Sequence, residues 1–254
     1  MSEASLAARP YSEGEFRVGR VLSRTFSVLS RNLVFCIVTA IAYLPTLAFL
    51  AVQQGTIVRR GSVQPGHAFL LIGLGVVLGI VLNALSEAIV LFGAFEDMRG
   101  RPVNLMASAQ VGLSRLFPVL GVAILVGLCT MIAAFLLVIP AFIVMTMLFV
   151  AMPACVVERL GPMQSLRRSR ELTKGHRWAI FGLWFLVAIV IGIGSKLAGM
   201  VGTLVGGVGF ALLLSLIWNA LAGAFNAIMV VVAYHDLRVA KEGVDTEQIA
   251  SVFD

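Results

Sequence analysis

The densest group of side chains that could do chemistry is basic. Its members lie close together in one connection between apolar stretches: Arg167, Arg168, Arg170, Lys174 and Arg177. A basic residue beside an anionic leaflet contributes about 1 kcal/mol, so together they could bind phosphate headgroups. The same charges could instead serve only to orient the chain in a membrane. The sequence leaves both roles open.

A second group is polar and lies within apolar sequence. Glu87 is the one acid in its stretch, and Asn83 precedes it by one helical turn. Asn219 and Asn226 lie seven residues apart in the last apolar stretch and share one face of a helix. An ionised acid inside a bilayer costs roughly 2.5–3.5 kcal/mol, so Glu87 must be protonated, paired or hydrated. These residues predict either a polar site between the second and sixth spans, for protonation or a lipid headgroup, or hydrogen bonds that join helices.

Acids at the ends of apolar stretches are expected to fix a charged layer. Glu158, Asp236 and Glu242 each lie near an arginine or lysine, such as Arg238. Ion pairs among these residues would hold the connections in place.

No pattern typical of an enzyme or a metal site occurs in the sequence. The three cysteines and three histidines are scattered, without CxxC spacing or an acid cluster beside them. P-loop, zincin and paired-carboxylate patterns are also missing. We therefore expect a protein that is not an enzyme and has no metal and no cofactor.

Composition indicates the class of protein that carries these residues. The chain has 254 residues, 59% of them hydrophobic and 13% charged, and its mean hydropathy is +0.99. This excludes the disordered, collagen-like and disulfide-rich classes and exceeds what a soluble core can bury. A net charge of +6 would suggest nucleic acid for a soluble protein. Because the charges here flank apolar stretches, we expect a membrane protein whose partners are anionic lipids, with no nucleic acid.

The apolar stretches predict an all-α fold with six transmembrane helices. One crossing needs about 20 apolar residues. Residues 33–52 and 68–95 supply one each, 116–157 supply two joined near Pro140, and 178–234 supply two separated by glycines. The expected parts are an N-terminal segment with an amphipathic helix over 1–31, a membrane domain over 32–236 and a C-terminal tail over 237–254.

Lysine and arginine fall almost entirely on one side of these crossings. Only Arg59, Arg60 and Lys196 lie on the other side. By the positive-inside rule the crowded side is cytoplasmic, and both termini are expected there.

Three short segments on the crowded side are expected to form helices. The first is amphipathic over its arginines, the second begins at Asn104, and the third begins at Pro162 and stops by Gly175. They end alike, in Leu29-Ser30-Arg31, Leu113-Ser114-Arg115 and Leu172-Thr173-Lys174. Two membrane exits also match, Phe95-Glu96-Asp97-Met98-Arg99 and Tyr234-His235-Asp236-Leu237-Arg238. The pattern predicts three parallel repeats, each a short helix followed by a membrane hairpin. The spacing between the three endings is uneven, which favours the alternative that the similarity arose by chance.

Two segments carry a family resemblance. The run from Val138-Ile139-Pro140 through Ser169-Arg170-Glu171-Leu172-Thr173-Lys174-Gly175 to Trp178-Ala179-Ile180-Phe181-Gly182, and the tail from Tyr234 to Gly243, resemble the six-span membrane domain of bacterial glycerophosphoryl diester phosphodiesterases and YciC-like inner-membrane proteins. The resemblance implies the same helical fold and a bacterial inner (plasma) membrane. In fused relatives the phosphodiesterase is a separate soluble domain, so the resemblance implies no such activity for this chain.

These observations predict a non-enzymatic membrane module that organises lipid, or a partner protein or second copy, at the cytoplasmic leaflet. The alternative is a small transporter or lipid translocase with a polar site around Glu87. A water-accessible cavity that reaches Glu87 would favour the alternative.

Overall fold

The computed structural model of the protein describes residues 16–58, 65–136 and 138–242. The first 15 residues of the N-terminal segment, Arg59, Arg60 and the tail from residue 243 onward therefore lie outside the described residues.

The described chain is helical and contains no strand, which confirms the all-α prediction. In chain order the helices are α1 (Val18–Arg31), α2 (Val34–Val58), α3 (Pro65–Met98), α4 (Leu105–Ser114), α5 (Leu116–Leu136), α6 (Val138–Leu148), α7 (Ala151–Val157), α8 (Pro162–Thr173) and α9 (Arg177–Glu242).

Several of these helices are long and apolar enough to cross a membrane. Among the described residues four pass this test: Gly73–Met98, Leu116–Phe135, Ile139–Val157 and Arg177–Glu242. Helix α1 and the first part of α2 pass it only together, and they are bent by 88° at their junction. The structure therefore has four or five candidate spans, as expected of a membrane protein.

Short helices begin and end where the local sequence predicts. The Asn104 side chain caps α4 by accepting a hydrogen bond from the Ala107 backbone N–H at 3.1 Å. Pro162 occupies the first turn of α8, where its missing N–H costs no helical bond. Gly175, with φ +94°, follows the end of that helix. Both predicted boundaries of the third short helix are thus confirmed.

Helix α9 is a hairpin of two helical arms, 177–206 and 208–242. Gly207 joins them with φ 70° and ψ −164°, a conformation that is almost confined to glycine. The arms run antiparallel, because Trp218 Nε1 donates to the Ile191 carbonyl at 3.1 Å. Nearer the turn, a Cβ added at Gly202 would lie 2.4 Å from the Cα of Ala211. The predicted break among the glycines of this stretch is confirmed.

The core lies toward the charged end of the bundle. The last part of α9 is buried on nearly every side, with Ile228, Met229 and Val231 to Tyr234 almost fully enclosed. Helices α1, α2, α3 and α6 to α8 all contact α9. The Gly207 end instead exposes large apolar side chains such as Leu204 and Val205, as a surface in contact with lipid would. The second arm of α9 is therefore the central helix that positions the polar groups at its charged end.

Candidate functional site

Three acids lie near the charged ends of candidate spans, and we call them the exit acids: Asp97 in α3, Glu158 after α7 and Asp236 in α9. Each accepts a hydrogen bond from an arginine of a short helix. Arginines of α1 donate to Asp97 and Asp236, and an arginine of α8 donates to Glu158. The exit acids thus tie the short helices α1 and α8 to the charged ends of candidate spans.

Glu158 belongs to a network that joins α8 to the end of α9. Arg168 Nε donates to both Glu158 oxygens, at 2.9 and 3.0 Å, and another nitrogen of the same guanidinium donates to Glu242. Arg238 Nε donates to Glu242 at 2.8 Å. The hydroxyl of the buried Tyr234 donates to Glu158 at 2.6 Å. Every member of the network has a charged or hydrogen-bonding partner.

The network also determines the proton affinity of Arg168. Burial by itself would lower the pKa of this guanidinium, but hydrogen bonds and opposite charge from Glu242 and Glu158 outweigh it and raise the pKa above its usual range. Arg168 therefore remains a fixed cation between two carboxylates.

Helix α1 is held by the other two exit acids. Arg24 pairs with Asp236 at 2.9 Å. Arg31 and Asn32 donate to the two oxygens of Asp97, each at 2.9 Å. With Val21, Val28 and Leu29 buried below, both charged contacts and apolar packing bind α1 to the bundle.

The basic residues of α8 divide between two faces. Arg168 points into the network, and its side chain is 23% exposed. Arg167, Arg170 and Lys174 lie on the outward face, and the Arg167 side chain is 84% exposed. Arg167 pairs with Glu171 at 3.3 Å, whereas no described carboxylate pairs with Arg170 or Lys174. Within the described ranges, therefore, no carboxylate neutralises the charges of Arg170 and Lys174 on this face.

The junction of α8 and α9 continues this outward face. Arg177 is half-buried, and its Nε has no hydrogen-bond partner among the described residues. The neighbouring Trp178 is 86% exposed. Tryptophan is enriched where helices meet the membrane interface, so this junction fits the headgroup level of a bilayer.

Between the helices, Glu87 and Asn226 line one partly open cavity of about 270 Å³. Thr130 and Trp184 also line it, and the remaining wall is apolar. No described side chain donates a hydrogen bond to the Glu87 carboxylate. The structure thus brings together two of the four interior residues that the sequence singles out.

The other two interior residues bond to backbone. Asn83 donates to the Gly79 carbonyl of its own helix at 2.8 Å, and to Ala42 of α2 at 3.5 Å. Asn219 donates to the Ser215 carbonyl at 2.7 Å. Neither asparagine lines the Glu87 cavity.

Sequence reasoning missed several members of these sites. Arg24, Arg31 and Tyr234 were not predicted as partners of the exit acids. A signal existed for Asp97, since it occupies the same place in its exit segment as Asp236 does in the last one. Thr130 and Trp184 carry no such signal, because only the packing of α5 and α9 brings them to the cavity.

No family model, no curated protein and no solved structure matches this chain.

Proposed function

We propose that this protein is a non-enzymatic bacterial inner-membrane module that binds anionic lipid headgroups, and through them organises lipid or a partner, at the cytoplasmic leaflet. One observation carries the proposal: the outward face of α8, with Arg170 and Lys174 unpaired among the described residues, lies beside the exposed Trp178. On such a surface the basic side chains can contact lipid phosphate groups while the indole ring of Trp178 contacts acyl chains.

The proposal includes six crossings with both termini in the cytoplasm. The four or five candidate spans become six when α2 crosses alone and the two arms of α9 cross separately. Each arm of α9 has enough residues for a slab that needs about 20. The distribution of lysine and arginine supports a cytoplasmic location for α1, α4 and α8.

Three parallel repeats are part of the same proposal. A short helix precedes two apolar helical segments in α1 to α3, in α4 to α7 and in α8 to α9. The hydroxyls of Ser30 and Ser114 donate to the carbonyl three residues earlier, at 3.0 and 2.9 Å, whereas the Thr173 hydroxyl donates most closely to the carbonyl four residues earlier, at 2.9 Å. The resemblance to the membrane domain of glycerophosphoryl diester phosphodiesterases rests on the residues quoted for it, and supports a role beside lipid-handling enzymes.

Lipid titration of the purified protein tests the headgroup proposal. Arg167, Arg170 and Lys174 are replaced together by Gln, and phosphatidylglycerol and phosphatidylcholine are added in a neutral detergent. Loss of three charges at about 1 kcal/mol each predicts roughly a hundredfold weaker binding of phosphatidylglycerol. Native mass spectrometry measures the bound lipid.

A matched control removes equal charge elsewhere on the same side. Arg99, Arg101 and Lys241 are all exposed, and their joint replacement by Gln should leave phosphatidylglycerol binding within about threefold. Equal losses in the two triple variants would show that general charge, rather than the face of α8, attracts the lipid.

A second candidate, a small transporter or lipid translocase, is favoured by the cavity that Glu87 and Asn226 line. In proteoliposomes this candidate predicts lipid exchange between leaflets that falls to background in Glu87→Leu. Glu171→Gln, at an exposed carboxylate of α8, is the control. Unchanged exchange in Glu87→Leu would remove this candidate.

A further inference from the structure

Two polar residues of the Glu87 cavity, one in α3 and one in α9, lie at the same depth in the bundle. Glu87 precedes the exit acid Asp97 by ten residues, and Asn226 precedes the exit acid Asp236 by the same number. Both intervals are unbroken helix, so each residue lies about 15 Å from its exit acid. Helix α1 is bent by 88° from α2, so it lies across the ends of the long helices, and Asp97 and Asp236, which both pair with it, mark a common level. Glu87 and Asn226 therefore face the cavity near the middle of a slab roughly 30 Å thick.

The second predicted repeat contributes apolar wall to the same cavity. Ten residues before the exit acid Glu158 lies Leu148, which lines the cavity together with its neighbour Phe149. The cavity is thus bordered by a helix of each proposed repeat, namely α3, α6 and α9, and α5 also contributes to its wall. Of the three equivalent positions, one carries a carboxylate, one an amide and one an apolar group.

Charge decides what kind of ligand the cavity suits. The Glu87 carboxylate has no described partner, and an acid at this depth needs a proton or a cation. Within the described part of the chain no cluster of three metal-ligating side chains occurs. The wall offers few oxygens but many apolar groups, among them Met145, Met152 and the Trp184 ring. Such a lining suits an organic cation better than a bare metal ion.

We propose that this cavity binds a small organic ammonium ion, with its charge on Glu87, further hydrogen bonds to Asn226 and Thr130, and its apolar body against Trp184. The volume of about 270 Å³ is just below the usual range of ligand pockets, roughly 300–1,000 Å³, so the bound group is small. The ammonium could belong to a free amine or to an aminophospholipid headgroup. The proposal rests on the second candidate function for its site, and names the class of ligand.

Binding to the detergent-solubilised protein tests this proposal. The probes are butylamine, which is cationic, and butanol, which has nearly the same shape without the charge. We expect saturable binding of butylamine by calorimetry, at least tenfold tighter than butanol. Glu87→Gln should weaken butylamine binding at least tenfold, whereas Glu171→Gln should leave it unchanged. Equal binding of the two probes, or full binding by Glu87→Gln, would overturn the proposal.

A second variant covers the case in which Glu87→Gln does not fold. Thr130→Val removes one acceptor without changing charge or shape, and should weaken butylamine binding about threefold to tenfold. Unchanged binding by folded Thr130→Val, with Glu87→Gln unfolded, would overturn the proposal.

Binding measured in two lipid compositions identifies the source of the ammonium group. Nanodiscs contain either phosphatidylethanolamine or phosphatidylglycerol with the same acyl chains. If only phosphatidylethanolamine competes with butylamine, the headgroup is the ligand, and if neither competes, a free amine is. Because these measurements need no transport, amine binding without lipid exchange would refute translocation while supporting the site.

Discussion

Replacement of Arg168 by Met should destabilise the protein far more than replacement of its neighbour Arg167. Arg168 makes two hydrogen bonds to Glu158 and one to Glu242, and its side chain is 23% exposed beside a Glu158 that is 16% exposed. Breaking a fully buried ion pair costs about 3–5 kcal/mol, and an exposed pair is worth at most about 1. The intermediate burial here gives an expected loss of about 2–3 kcal/mol.

Arg167 provides a control one residue away on the same helix. Its side chain is 84% exposed, and its partner Glu171 is 57% exposed. An exposed pair four residues apart contributes only about 0.3–0.5 kcal/mol. Because 1 kcal/mol shifts the unfolding midpoint of a chain this size by about 2–4 °C, Arg168→Met should lower it by about 5–10 °C and Arg167→Met by about 1–2 °C.

Thermal unfolding in one detergent at one scan rate measures both variants, followed by tryptophan fluorescence. Adding Glu158→Gln to Arg168→Met should recover part of the loss, because it removes the charge left without a partner. Equal midpoints for the two arginine variants would refute the division of α8 into an inward and an outward face.

Two further predictions concern packing inside the membrane. Gly202→Ala should destabilise the α9 hairpin by about 1–3 kcal/mol, since its new Cβ would lie 2.4 Å from the Ala211 backbone. Gly199→Ala, which meets nothing within 4 Å, should be neutral in the same thermal assay, and the interpretation fails if the two variants behave alike. Thr39→Val should cost roughly 0.6–1.7 kcal/mol, because the Thr39 hydroxyl donates to the Ala220 carbonyl of α9 at 2.7 Å. No loss on this change would mean that the bond between α2 and α9 adds nothing to stability.

Local patterns predicted the helical class and several boundaries well, because those are set by neighbouring residues. The Asn104 cap and the Pro162 start follow from backbone groups within one turn. The glycine region of α9 was recognisable, but its turning point was not. Gly202 is needed for the close approach of Ala211, while Gly207 alone in this region has a positive φ.

Which residues pair with each other in the charged sites depends on contacts between elements that are distant in the sequence. Arg168 and Glu242 are separated by 74 residues, and Arg24 and Asp236 by 212, so no local spacing predicts either pair. A helical projection does separate Arg168 from Arg167 and Lys174, because 100° per residue turns it away from their face. The projection does not show which of the two faces packs against carboxylates of other elements.

The interior site was predicted only in part for a similar reason. Glu87 and Asn226 are recognisable as polar residues in apolar sequence, and the cavity contains both. Asn83 has the same signal, yet a carbonyl one turn earlier satisfies it. Only the arrangement of the helices distinguishes a residue that lines a cavity from one that bonds to its own backbone.

In the proposed orientation the charged end of the bundle, with the exit acids and the short helices, lies on the cytoplasmic side and the Gly207 turn on the other. Labelling of single cysteines with a membrane-impermeant maleimide tests it most directly, in a background with Cys36, Cys129 and Cys155 replaced by Ala. Gly209→Cys, whose side chain would meet nothing within 4 Å, should react in intact spheroplasts. Arg101→Cys and Arg167→Cys should react only after the membrane is permeabilised. Reaction of all three from the same side would contradict this orientation.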